Sequence, residues 1–352
     1  MSNNSKIEWT GATWNPIRAR TSGIGWGYHC EHVSEGCRNC YAERMNGRML
    51  PAWGTGLEYT RQNREKVEIY LDEEALMQPL RWKKGRKIFP CSMTDLFADF
   101  VPDEMIDRVF AVMALTPQHT YQVLTKRAAR MQMYFANLDD RRDLVEDAGG
   151  SIPGVCYANT QAGWPLPNVW LGVSVEDQRT ADERIPLLLR TPAALRWVSY
   201  EPALGPVDFV RLRKLDYVED QAGAEIYPLT GLAAIPDLDW KINRIDWVVV
   251  GGESGPGARP FDVAWARETI RQCQTRGVPV FVKQISKKPY DSNAMDQPDD
   301  YWPKEERYDV VKAFPGQPKE YALCHVLRDD KGGDPSEWPE DLRVRQYPEA
   351  SR

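Results

Sequence analysis

The strongest constraint on the fold is a set of short runs that are apolar almost without interruption: WLGVSV from Trp170, WVVVGG from Trp247 and PVFVK from Pro279. A strand with one face in water alternates polar and apolar residues. A strand covered on both faces need not, so these runs point to central strands of a parallel sheet. Seven candidate strands follow, at Thr13–Ile17, Lys87–Ser92, Tyr121–Thr125, Val169–Val175, Leu195–Tyr200, Asp246–Val250 and Val278–Lys283. Helical stretches separate them at Cys40–Leu50, Pro102–Leu115, Arg127–Leu138, Gln178–Leu189 and Val263–Arg276. Pro102 followed by Asp103 and Glu104 is a helix start, and Gly277 is a helix stop.

A doubly wound sheet and a closed or partial (β/α) TIM-like barrel of six to seven strands both satisfy this pattern. The residues at the strand ends favour the barrel: Asp95, Lys126, Glu176, Glu201 and Glu253 follow successive strands, and Lys283 ends the last. A barrel builds its site from one group per strand end, whereas a doubly wound sheet gathers ligand groups at one switch point. The barrel is expected over residues 1–288, with an insertion near 213–245 and an irregular loop at Asp139–Pro167. From Pro289 to residue 352 the chain turns polar and proline-rich, an expected extension packed on the barrel.

With 352 residues and 42% hydrophobic content the chain can bury a sizeable core. Its longest apolar run, Val109 to Leu115, is too short to span a membrane, and no basic-then-apolar leader opens the sequence. A soluble cytoplasmic protein is expected. The net charge of −6 is split, with +3 in residues 1–130 and −9 in the rest, which argues against a protein that coats nucleic acid. Arg81, Lys83, Lys84, Arg86 and Lys87, with Trp82 among them, and Lys126, Arg127 and Arg130 are two basic clusters; each is open to reading as a solvated helix end or a nucleic-acid contact.

Three of the seven cysteines, Cys30, Cys37 and Cys40, fall within eleven residues, while Cys91, Cys156, Cys273 and Cys324 are scattered. The spacing C-x6-C-x2-C between a strand and a helix lets three thiolates converge on one soft metal centre. Three ligands suit a [4Fe–4S] cluster with one open iron. A Cys3His zinc site using His29 or His32 is the alternative, although both lie very close to Cys30 in sequence.

The CRNCY segment from Cys37, in the loop after the first strand, resembles radical S-adenosylmethionine enzymes, which place a three-cysteine loop at that point of a (β/α) barrel. The resemblance implies a cluster whose open iron chelates S-adenosylmethionine, reductive cleavage of that molecule by one electron from a donor, and radical chemistry on a small-molecule, nucleotide or nucleic-acid-related substrate. The usual motif has three residues between the first two cysteines, where this chain has six; a cluster used without S-adenosylmethionine is therefore kept beside it, as is a zinc-stabilised nucleic-acid-binding protein without catalysis. A longer resemblance runs through EWTGATWNP from Glu8, CRNCYAE, SMTDLF from Ser92, PNVWLGVSVED from Pro167, SYEPALGP from Ser199, DWVVVGGESG from Asp246, VKQ from Val282 and WPEDLRVR from Trp338. These segments are similar to a bacteriophage and prophage family of three-cysteine-motif proteins of unassigned function.

The radical-enzyme resemblance gives the strand ends candidate roles. Asp95 would meet the cofactor's amino group or cap the next turn. Ser174 with Glu176, and Ser199 with Glu201, share a strand face by two-residue spacing, placing carboxylates to bind ribose hydroxyls or move protons. Lys126 and Lys283 would neutralise a carboxylate or phosphate, or pair with these acids. Gly251 and Gly252 would form a tight turn or present backbone groups to a cofactor, with Glu253 binding a substrate amine. The glycines match neither common phosphate-loop pattern.

Overall fold

The computed structural model describes residues 5–22, 25–48, 53–153, 163–213, 225–235, 238–292, 308–312 and 321–349; Cys156 lies outside them. The chain divides into two units, residues 1–173 with 190–196, and residues 174–189 with 197–352.

The first unit carries β1 (Ala12–Trp14), β2 (Lys87–Pro90), β3 (Thr120–Thr125) and most of β4 (Val169–Val175), parallel in that order. The second carries β5 (Leu195–Tyr200) from Trp197 onward, β6 (Trp247–Gly251) and β7 (Val280–Gln284), again parallel. The order in the sheet is that of the sequence, β1 to β7, with no reversal. A doubly wound sheet requires a reversal at its switch point. The sheet is that of a parallel α/β protein, and among the described residues β1 and β7 do not pair with each other, so the closed form of the expected barrel is not made. Every residue of β4 and β6 is buried, as their apolar runs require, and so is every residue of β5, Arg196 and Ser199 included.

Besides two single-turn helices at Arg61–Arg64 and Glu73–Leu76, the helices are α1 (Tyr41–Gly47), α2 (Asp103–Ala114), α3 (Ala128–Tyr134), α4 (Leu138–Gly150), α5 (Gln178–Arg190) and α6 (Val263–Thr275). Helix α2 starts behind Pro102 with Asp103 and Glu104 in its first turn, where acids complement the free N–H groups. The Asp262 carboxylate caps α6 by accepting from Ala264 N, and Gly277 follows its end at φ +64°, a conformation open to glycine at little cost.

Three expectations need correction. Helix α4 occupies a stretch read as an irregular loop; only Val145 and Gly149 are buried on it, so it has almost no apolar stripe to announce it. It is docked by charge. The Arg141 guanidinium bonds Asp107 at 2.7 Å, Asp103 at 3.1 Å and the Tyr134 carbonyl at 3.1 Å, tying α4 to α2 and α3. The expected first strand Thr13–Ile17 breaks at Pro16: β1 stays in the parallel sheet, and Ile17–Thr21 turns into an antiparallel sheet with Gly25–Gly27 and Glu68–Leu71. The insertion near 213–245, read without periodicity, contains a four-stranded antiparallel sheet of Leu212–Arg213, Glu225–Tyr227, Leu232–Ile235 and Leu238–Lys241. Its residues 214–224 and 236–237 are among those not described.

Near the C-terminus, Val282 N donates to Val344 O and Gln346 N to Val280 O, so the segment 344–346 runs beside β7. Among the described residues no helix is long and apolar enough to cross a membrane.

His325, in the strand Tyr321–His325 of the second unit, gives a pH-dependent expectation. Burial lowers its pKa to about 4, against about 6.5 in an unfolded chain. Between those values the unfolded chain takes up a proton that the folded one refuses. The stability His325 contributes above pH ~6.5 is therefore lost as pH falls towards ~4, by at most on the order of 3 kcal/mol. Urea midpoints at pH 7 and 4.5 measure it, and His325→Gln should lose less than the parent; equal losses would remove His325 from the account.

Candidate functional site: the cysteine loop and the strand-end carboxylates

In the first unit, the loop that carries the three cysteines is entered from the strand Gly25–Gly27 rather than directly from β1. Cys37 closes a 3-10 turn, Glu35–Cys37, and Cys40 stands at the N-cap of α1. All three are free and half-buried. Cys30 and Cys40 rest on a cluster of Tyr28, Ala42, Tyr59 and Met93, flanked by Trp26 and Trp53.

Polar side chains make this floor rigid. Buried Asn46 uses all its hydrogen-bonding capacity: Oδ1 accepts from Tyr28 N and Thr55 N at 3.0 and 3.1 Å, and Nδ2 donates to Thr55 Oγ1 and Leu57 O at 2.7 and 3.2 Å. A Cβ on Gly27 would lie 2.6 Å from both Asn46 Oδ1 and Thr55 N, so this close approach needs glycine.

The segment Ser92–Asp95 clamps the loop from beyond β2. Tyr59 Oη donates to Met93 O at 2.9 Å, Tyr41 Oη to Ser92 O at 2.5 Å, and Thr94 Oγ1 to His29 O at 2.5 Å. Asp95 itself is committed. Oδ1 accepts from Thr125 Oγ1 at 2.7 Å and Phe97 N at 3.0 Å; Oδ2 accepts from Lys126 N at 3.0 Å and Arg127 Nη1 at 3.1 Å. Arg127 Nη2 continues to Glu31 O at 3.2 Å, one residue past Cys30.

Burial pushes the Cys30 thiol up to about 12; Arg127 opposes the shift, and Asp95, Cys40 and Cys37 add to it. Burial raises Cys40 as well, with Cys37 a further cause. Among the described residues, however, no group of three or more His, Cys, Asp and Glu side chains is arranged to hold a single metal ion. Of the two histidines, His32 Nε2 lies 2.9 Å from Glu43 Oε2, and Glu43 Oε1 accepts from Tyr59 N at 2.7 Å. The His29 ring packs on Tyr59 and Phe100 with its Nε2 buried and unbonded. Its pKa is lowered to about 4 by burial and then by Arg64 and Arg127. A cleft of about 520 Å³ beside the loop is lined by His32, Arg38, Glu43, Arg44 and Glu58 among others.

In the second unit, Glu201 follows β5 and pairs with Lys283 of β7 at 2.9 Å, their side chains 11% and 19% exposed. Ser199 Oγ donates to Glu201 Oε2 at 3.0 Å. A Cβ on Gly251 would come within 3.1 Å of Glu201 Oε1, so this glycine makes room for the carboxylate. Gly252 is tight against Phe261, at 2.8 Å from an added Cβ. Neither glycine has a positive φ; closeness, not a sharp turn, accounts for them. The polar groups of Gly252 are engaged by Gln284, whose carbonyl accepts from its N–H and whose Nε2 donates to its carbonyl.

The other predicted carboxylates of this unit are held by arginines. Glu176 pairs with Arg184 at 3.2 Å, with 1% and 4% of their side chains exposed, and Arg184 also bonds Ser174 O. Glu253 accepts from Arg259 N, Nε and Nη2 at 2.9, 3.0 and 2.5 Å. Sequence reasoning missed Arg184 and Arg259 altogether, and it placed Arg127 in a basic surface cluster. The local signal was an arginine eight residues after Glu176 and six after Glu253; no such signal links Asp95 to Arg127. Arg130 likewise pairs with Asp103. The other basic cluster, Arg81–Lys87, leads into the N-terminal end of β2, whereas Ser92–Asp95 and the cysteine loop lie beyond its C-terminal end.

These features define a parallel α/β protein with a clamped three-cysteine loop in one unit and a part-exposed Glu–Lys pair at the strand ends of the other. The chain belongs to the family described as protein of unknown function (DUF5131), which matches residues 4–311. No curated protein and no solved structure matches it.

Proposed function

We propose that the chain is a cytoplasmic iron–sulfur enzyme resembling radical S-adenosylmethionine proteins, with Cys30, Cys37 and Cys40 holding a [4Fe–4S] cluster open at one iron. The observation that carries this reading is the loop itself: three free, half-buried thiols within eleven residues, on a floor fixed by Asn46 and clamped by Ser92–Asp95. That donor set fits a cluster, which spreads its cysteines over three irons rather than gathering them at one ion. When bound, the cluster supplies one electron, taken from an external donor, for cleavage of S-adenosylmethionine.

The protein's own part is positioning. Glu201 and Lys283, the strand-end pair with some solvent access, would hydrogen-bond a ribose hydroxyl or move a proton on a nucleotide or nucleic-acid-related substrate. Glu176 and Glu253 would act through the arginines they hold. The parallel sheet accords with a partial (β/α) barrel. The six-residue gap between Cys30 and Cys37 favours a second reading, a cluster used without S-adenosylmethionine.

Anaerobic isolation followed by iron and sulfide analysis is the test, with about four of each per chain expected. A colourless chain with one zinc and no iron would overturn both cluster readings and leave the zinc-stabilised nucleic-acid-binding protein. Incubation with dithionite and S-adenosylmethionine then separates the two: 5′-deoxyadenosine supports the first reading, and its absence from a cluster-loaded chain leaves the second.

A further inference from the structure

We infer that the loop Arg81–Lys87, which leads into the N-terminal end of β2, docks the phosphodiester backbone of a nucleic acid; this goes beyond the reading above and needs no metal in the cysteine loop. Residues 75–94 hold five cations, Arg81, Lys83, Lys84, Arg86 and Lys87, and not one acid, in a chain whose net charge is −6. Arg81, Lys83 and Lys84 are exposed, and among the described residues no acid pairs with any of the three. The second basic cluster differs on this point, since Arg127 is held by Asp95 and Arg130 by Asp103. Charge that no acid answers within the folded chain is available to an outside anion.

The loop is held in shape. Thr120 N donates to Arg86 O at 2.8 Å, Gln118 Nε2 reaches Trp82 O at 3.5 Å, and His119 Nε2 lies 3.1 Å from Pro79 O, which fastens the loop to 118–120. Gly85 fits against Gln118 O, which an added Cβ would approach to 2.6 Å. The Trp82 ring meets His119 edge-on at 5.9 Å, and the Arg86 guanidinium lies 4.9 Å over that ring. Cations carried on a fixed frame lose little freedom on binding beyond that of their own side chains.

The kind of partner follows from what surrounds the charge. A protein interface is centred on a buried apolar core, and stable membrane attachment needs an apolar anchor beside its basic residues. None of the exposed large apolar residues, Val33, Tyr41, Met45, Met133, Leu144 and Leu232, belongs to this loop or to 117–119. A nucleic-acid backbone needs only a row of cations, because its contacts are to phosphate and its affinity comes from released counterions. The surface lies at the opposite end of β2 from Ser92–Asp95, so it is distinct from the cysteine loop.

The test is fluorescence anisotropy of the full chain with labelled oligothymidylate and with a duplex of equal length, over a range of salt concentrations. The wild type is expected to bind one or both and to weaken as salt rises. R81Q/K83Q/K84Q should bind at least tenfold more weakly at low salt, with a log–log salt slope shallower by about 2, at ~0.7 for each phosphate contact on a single strand. K83R/K84R, which keeps the charge, should bind as the wild type does. The control R142Q/R179Q/R271Q makes the same change in net charge by removing three exposed arginines that face acids of their own helices, and it should stay within threefold of the wild type. Unchanged binding by the loop variant, an equal loss in the control, or an affinity indifferent to salt overturns the inference. So does a preference of the wild type for phosphatidylserine vesicles over both oligonucleotides. Should the triple variant not fold, K83Q and K84Q alone decide, each flattening the slope by ~0.7 if the inference holds and leaving it unchanged if it does not. The iron analysis is unaffected by any of these results, so this inference and the cluster reading fail separately.

Discussion

Cys37→Ala abolishes iron and sulfide binding, and Cys273→Ala leaves both at the parent level: this is the expected result with the largest effect. Cys37 sits between the other two cysteines in sequence and closes a 3-10 turn, with Cys40 N bonded to Cys37 O at 3.2 Å, so no neighbouring donor can move into its place without undoing the turn. His32 of the same loop is engaged by Glu43. Cys273 is wholly buried in α6 of the second unit, where burial pushes its thiol up to about 12, and it behaves as a small apolar residue. Metal analysis beside circular dichroism checks the comparison. Retention of stoichiometric iron by Cys37→Ala would sink the ligand assignment, whatever the activity.

Asp95→Ala is expected to destabilise the protein by about 3–5 kcal/mol, as when one partner of a buried ion pair is removed and the other is left uncompensated. The carboxylate accepts four hydrogen bonds, from Thr125, Phe97, Lys126 and Arg127. Asp95→Asn should cost less, since an amide retains one acceptor. Urea unfolding gives the difference directly. A loss under about 1 kcal/mol for the alanine variant would mean that water replaces the carboxylate and that the clamp on the cysteine loop is weaker than its geometry implies.

What could be read in the sequence followed from how each part is held. Strands β4, β5 and β6 are held by apolar burial on both faces, and hydropathy alone locates them to within a residue. Helices α2 and α6 carry the start and stop residues expected of them. Helix α4 is held by the ion pairs of Arg141, which leave no periodic trace, and the first strand is cut by Pro16, whose missing N–H is a local fact inside an otherwise strand-like run. The same division runs through the site. Spacing is enough to single out Cys30, Cys37 and Cys40, and to align Ser199 with Glu201. The cradle is not legible, because Asn46 meets Thr55 across nine positions and Asp95 meets Arg127 across 32. Nothing in a strand-end carboxylate tells whether it faces open space or an arginine.

The docking of α4 has an implication for reading substitutions in this family. Arg141 would be scored as a surface position by any measure of hydropathy, yet its guanidinium lies 4.0 Å over the Tyr134 ring and its side chain is mostly enclosed. A change there removes the fastening of three helices at once, in the manner of a lesion in a hydrophobic core. Tolerance to mutation along 138–150 is therefore expected to be permissive at every charged residue but this one.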